Sequence, residues 1–155
     1  MSIIGINCDT VDGHHAREML ASTQRWSGDI ADTTVGSVSS FETNAALTGS
    51  TWVPAQAGRL DAFVGCELVL PDSSAQVRGR IRLENVTDAT DQFSQTPEQK
   101  VTAAGDSVSY FIRKDDFSLI SGKTYQLSFQ VQQTGSVQNV GVFEGTLTGR
   151  EYATE

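Results

Sequence analysis

The sequence reads as all-β: an antiparallel β-sandwich of the jelly-roll kind, preceded by a short, mostly irregular N-terminal arm. Three observations carry this. Strand patterns recur roughly every ten to fifteen residues from Val35 to Leu147. Long polar connections separate them, and no second helical period follows the opening of the chain. Two rows, Leu60 to Leu70 and Tyr125 to Val131, alternate cleanly enough to line one shared core. The Cys–Trp–Cys pattern of an immunoglobulin domain is missing, so a jelly-roll order is preferred.

Taken in order, Ser2 to Cys8 reads as a short strand with Ile4 and Ile6 on one face. Asp9-Thr10-Val11-Asp12-Gly13 is turn chemistry. His14 to Leu20 suits a brief helix capped by Asp12. Ala21 to Ser40 is polar and small, with Trp26 and Ile30 as isolated apolar anchors. Residues 1–34 are therefore an arm that must lie against this domain or a neighbouring chain, and residues 35–155 are the sandwich.

Val35 to Thr43 and Ser50 to Pro54 open the sandwich. In the next strand Leu60, Ala62, Val64, Cys66, Leu68 and Leu70 share one face. Asp61, Phe63, Gly65, Glu67 and Val69 share the other, which is more apolar than an open face needs. Gln76 to Val86 turns Val77, Gly79, Ile81 and Leu83 inward and Arg78, Arg80 and Arg82 outward. Asp88 to Gln99 is a polar loop pinned by Phe93. Ser107 to Arg113 holds Val108, Tyr110 and Ile112 in phase, and Phe117, Leu119 and Ile120 follow. Tyr125, Leu127, Phe129 and Val131 form the second row, and Val137 to Leu147 returns with a phase slip near Val142-Phe143 that predicts a bulge.

With 155 residues the chain can bury a real core, and no apolar run approaches the ~18 residues of a membrane span. The opening Met1 to Ile6 has neither a basic start nor a long apolar core, so a secretion signal is not expected. A net charge of −8 argues against nucleic acid, which needs clustered cations. Three lysines against eight arginines, with eleven aspartates, give a Lys-poor acidic surface of halophilic type. A GC-rich genome produces the same bias.

Catalytic signatures are missing: no Gly-x-Ser-x-Gly elbow, no phosphate loop, and histidines only at His14 and His15. Those two lie near Cys8, Asp9 and Asp12, but adjacent residues seldom turn to one ion and no zinc spacing is present. Asp9/Asp12, Asp29/Asp32, Asp88/Asp91 and Asp115-Asp116 offer carboxylates to a hard cation, yet without the alternating ligands of an EF-hand. Solvated acidic loops are the better reading, and neither metal nor cofactor is expected. Cys66 lies in the apolar row and reads as a buried thiol, a bridge to Cys8 being the alternative. Arg78, Arg80 and Arg82 make a cationic ladder with roughly 6–7 Å between neighbours. It meets either acids of its own chain, a neighbouring subunit, or an anionic glycan.

Phe41-Glu42-Thr43-Asn44-Ala45-Ala46-Leu47-Thr48-Gly49-Ser50-Thr51-Trp52-Val53-Pro54 resembles the opening strands of jelly-roll domains from tailed-virus fibre tips. The layout that follows is similar as well: a long apolar strand, an Arg-bearing strand, a polar loop, then Gly122-Lys123-Thr124-Tyr125-Gln126-Leu127-Ser128-Phe129. The likeness spans residues 41–149. It implies a non-enzymatic virion part, a capsid decoration, turret or fibre-type jelly roll assembled in the host cytoplasm. It also implies a homo-oligomer, a trimer first, bound to other virion proteins such as the major capsid protein. The interface candidates are Arg78, Arg80, Arg82, Phe63, Trp26, Ile4 and Ile6. The alternative is a carbohydrate-binding module recognising a host-surface glycan, with Trp26, Trp52, Phe93 and Tyr152 as the aromatics available for stacking.

Overall fold

The computed structural model describes residues 23–30, 33–35, 38–100, 103–136 and 138–153. Among them the chain forms β1 (Thr23–Ile30), β2 (Thr33–Val35), β3 (Val38–Thr48), β4 (Gly58–Val69) and β5 (Gln76–Asn85). The second half adds β6 (Thr90–Phe93), β7 (Glu98–Lys100), β8 (Ser107–Leu119), β9 (Tyr125–Thr134) and β10 (Val140–Ala153). One sheet runs β1-β10-β4-β8 with β2 beside β10; the other runs β3-β9-β5-β6 with β7 beside β5. The pairing is nested. β5 pairs β6, β4 pairs β8, β3 pairs β9 and β1 pairs β10, all antiparallel. Rolled up, that ribbon brings β10 against β4 and β9 against β5. This is a jelly roll.

The alternating rows point as their period requires. Leu60, Val64 and Leu68 of β4 are fully buried against Val77, Ile81 and Leu83 of β5 and Leu127 and Phe129 of β9. Each such side chain contributes about 1.5–3 kcal/mol. Cys66 lies in the same layer as a free, buried thiol, and Cys8 falls outside the described residues. Gly79 is what lets two rings meet there: a Cβ would sit 2.6 Å from Phe129 and 2.7 Å from Tyr110. The Tyr110 hydroxyl accepts from the Gly79 N–H at 2.7 Å and donates to the Pro97 carbonyl, which ties β8 across the sandwich to β5.

The sandwich begins earlier than the apolar pattern marks. Thr23–Ile30 pairs along β10 from Glu151 to Gly145, and Thr33–Val35 pairs with Val142 to Val140. With few apolar residues this stretch shows no period of two; backbone pairing makes it a strand. The Asp88–Gln99 connection likewise carries β6 and β7, which pair with successive parts of β5. Ser107 to Leu119 is one strand rather than two, bulged opposite Leu60/Ala62 with Asp116 at φ 63°. The expected slip after Phe143 is a register shift against β4, and β10 continues to Ala153. Ser50 to Pro54 contracts to a single bridge between Trp52 and Tyr125. The strand expected at Ser2–Cys8 and the helix expected at His14–Leu20 lie outside the described residues.

Candidate functional site

The Arg ladder occupies the outer face of the β3-β9-β5-β6 sheet, because odd and even positions of β5 part to opposite sides. Its partners come from its own chain. Arg78 donates to Glu98 Oε2 at 2.8 Å, and Arg82 lies 2.8 Å from Asp91 and 3.0 Å from Glu84. Arg80 Nε donates to Gln130 Oε1 at 2.8 Å. Its guanidinium stacks between Phe41, 4.2 Å to the ring centroid, and Phe93, 3.8 Å. Partial burial under those rings lowers the Arg80 pKa. Such exposed pairs are worth only about 0–1 kcal/mol each, so the ladder orders the face more than it stabilises the fold.

The opposite outer face, on β10-β4-β8, is built differently. Phe63 and Phe111 are 40% and 64% exposed, and their rings stack with centroids 6.2 Å apart and 24° between planes. Between them lies Gly65, where a Cβ would meet Phe111 at 3.1 Å and Phe63 at 3.3 Å. Without a side chain there, both rings lie down over the strand as one apolar plate. A shallow groove with Arg113, Arg150 and Asp61 opens on one side of Phe63, and a second with Glu67, Glu144 and Ser109 on the other. At the first end Tyr152 donates its hydroxyl proton to Asp116 at 2.8 Å and lies 3.2 Å from Asp61. Burial, then the two carboxylates, raise that hydroxyl's pKa.

The ladder and Phe63 therefore sit on opposite faces of the sandwich and form no common site. Trp26 belongs to β1 in the same sheet as Phe63, in register with Gly149. Ile4 and Ile6 lie outside the described residues. Among the aromatics considered for sugar stacking, Trp52 packs 6.1 Å from Tyr125 and is partly buried, while Tyr152 is held by its carboxylates. Of the carboxylate pairs, Asp88 is bound by Lys123 at 2.7 Å and Asp91 by Arg82. Among the described residues no group of three or more His, Cys, Asp or Glu is placed to hold a metal ion, and no helix is long and apolar enough to cross a membrane. The residue that sequence reasoning passed over is Phe111. Its signal was present: a large aromatic on the polar side of the row Val108, Tyr110, Ile112.

No protein-family model matches the chain, and no curated protein matches it in sequence. Solved structures do match in shape. The VP2 subviral particle of infectious bursal disease virus superposes with a TM-score of 0.59 at 9% identity, over 98% of this chain and 37% of that one. The T13 particle of the same virus gives 0.57 at 8% identity, over 85% and 31%. Its Gx strain gives 0.52 at 9% identity, over 85% and 34%. The chain thus spans about a third of the length of these proteins. In fold it is a jelly-roll sandwich resembling a domain of virus capsid proteins.

Proposed function

We propose that this chain is a non-enzymatic structural protein of a virus particle, a capsid decoration, turret or fibre-type jelly roll. In this reading it self-associates and docks on other virion proteins, such as the major capsid protein, through its N-terminal arm. One observation carries the reading: the jelly-roll sandwich superposes, over nearly the whole chain, on the VP2 subviral particle. The sequence resemblance to virus fibre-tip domains points the same way. The trimer it implies is the expected oligomer.

The test is attachment to particles lacking the protein. Because β1 begins at Thr23, the informative truncation removes residues 1–22 and spares every described strand. It is expected to abolish attachment while the sandwich stays folded. Removing residues 1–34 also takes β1 and most of β2, and is expected to destabilise β10. Undiminished attachment of the shorter protein would overturn the reading. A second reading, glycan recognition, is favoured by the Phe63–Phe111 plate, whose exposed ring faces suit sugar stacking. A glycan screen in which binding is lost on Phe111→Ser would select it.

A further inference from the structure

We infer that the outer face of β10-β4-β8 is a self-complementary surface on which a second copy of this chain docks about a two-fold axis. The axis lies in the interface plane and runs across the strands level with Val64. This rests on the self-association proposed above and adds to the three-fold contact of the expected trimer a two-fold one, the two together giving a hexamer.

The argument is one of register. Around β4, Phe63 stands beside Arg113 of β8 and Thr148 of β10. Gly65 stands beside Phe111 and Thr146. A two-fold across the strands keeps each strand opposite its own copy and exchanges the two rows. Phe63 then lies over the partner's Gly65, which the partner's own Phe63 and Phe111 rings cover, so the two apolar plates stack on one another, and Arg113 faces the ring of the partner's Phe111. Apolar rings meet apolar rings, and a cation meets an aromatic face. Further out, Arg150 on β10 comes within about one residue's rise of the partner's Glu144. Cationic and anionic grooves thus meet at both ends. The operation also brings Asp61 toward the partner's Glu67. Asp61 enters that approach with Arg113 3.9 Å away and the Asp116 N–H donating to it at 3.1 Å.

The face sets the strength of the contact. Strands the length of β4 and β8 span roughly 40 Å, and three strands side by side roughly 14 Å. That gives roughly 560 Å² per copy, less than the roughly 800 Å² per partner of a stable complex, so the association is a weak, concentration-dependent one. The plate is apolar at its centre and charged at its ends, the usual anatomy of such contacts. An isologous contact of this kind uses every complementary pair twice.

The experiment is sedimentation velocity on the full chain over a concentration series. The expected species has twice the 16.7 kDa chain mass, or an even multiple where another contact also operates. Phe111→Ser is expected to weaken the association at least about tenfold while leaving the melting curve in place, since the ring is mostly exposed. Arg150→Glu and Glu144→Arg are each expected to weaken it about tenfold. The double variant, carrying both swaps on one chain, is expected to restore it. A monomer at all concentrations, an odd-numbered assembly, no effect of Phe111→Ser, or no rescue by the double swap would overturn the proposal. So would a glycan that holds the monomer through Phe111. None of these results touches particle attachment, which tests the virion reading separately.

Discussion

At Gly79 the sheet gives up a side chain so that Phe129 and Tyr110 can meet, their ring centroids 6.1 Å apart. Gly79→Ala places a methyl where both rings already are. The expected cost is about 1–3 kcal/mol, read from urea unfolding. Phe129→Ala empties the same region and is expected to cost about 3–5 kcal/mol; a loss below about 1 kcal/mol would put the ring in solvent. Cys66 reports on this layer by its chemistry. Burial pushes its thiol up to about 12, so at mildly alkaline pH it stays protonated in the fold. A thiol reagent is expected to modify it slowly in the native protein and rapidly in denaturant. The linkage has a definite sign. Unfolded chain loses this proton near about pH 8.5 and folded chain does not, so stability declines as pH rises from there toward 12.

Among the elements, the connections are pinned by carboxylates that fold with depressed pKa values. Asp72, after β4, accepts from the Ser74 and Ala75 N–H groups at 2.8 and 3.1 Å and from the Ser136 hydroxyl of the β9–β10 connection. The Ser136 and Ser74 hydrogen bonds hold its pKa below the ordinary carboxylate value. Lys123 does the same for Asp88, and Arg78 for Glu98. Groups of this kind support the fold above their unfolded pKa, about 4. Their support is lost as pH falls through the lower folded values. Melting temperatures are therefore expected to drop below about pH 4, with Asp72→Ala lowering the plateau and flattening that acid limb. The same division explains what was legible. Strands β4, β5 and β9 announce themselves because one face of each is filled by large apolar residues. Strands β1, β6 and β7 carry mostly polar residues, so their place comes from pairing, which no local pattern encodes. The arginines of β5 were visible as a ladder. Their acids come from Glu98, Asp91 and Glu84, two of them on separate strands whose register the sequence does not print.

For the molecule as a whole, the net charge of −8 opposes compaction in dilute buffer. Salt screens that repulsion and also weakens exposed pairs such as Arg78–Glu98, each worth at most about 1 kcal/mol. The excess of like charge dominates, so the melting temperature is expected to rise between about 0.1 M and about 2 M NaCl. A fall across that range would show that the pairs matter more than the excess. The nested pairing has a consequence for synthesis. The β5·β6 hairpin closes a short loop and is available early; every later pair spans a longer one, and β1·β10 spans nearly the whole chain. In the finished sheet β10 lies between β1 and β4. Until β10 leaves the ribosome, β1 lacks the strand it pairs with and β4 keeps one side bare. The plate around Phe63 is then incomplete. A nascent chain thus cannot present its outer face to another copy before β10 has emerged and paired, so assembly waits on that strand.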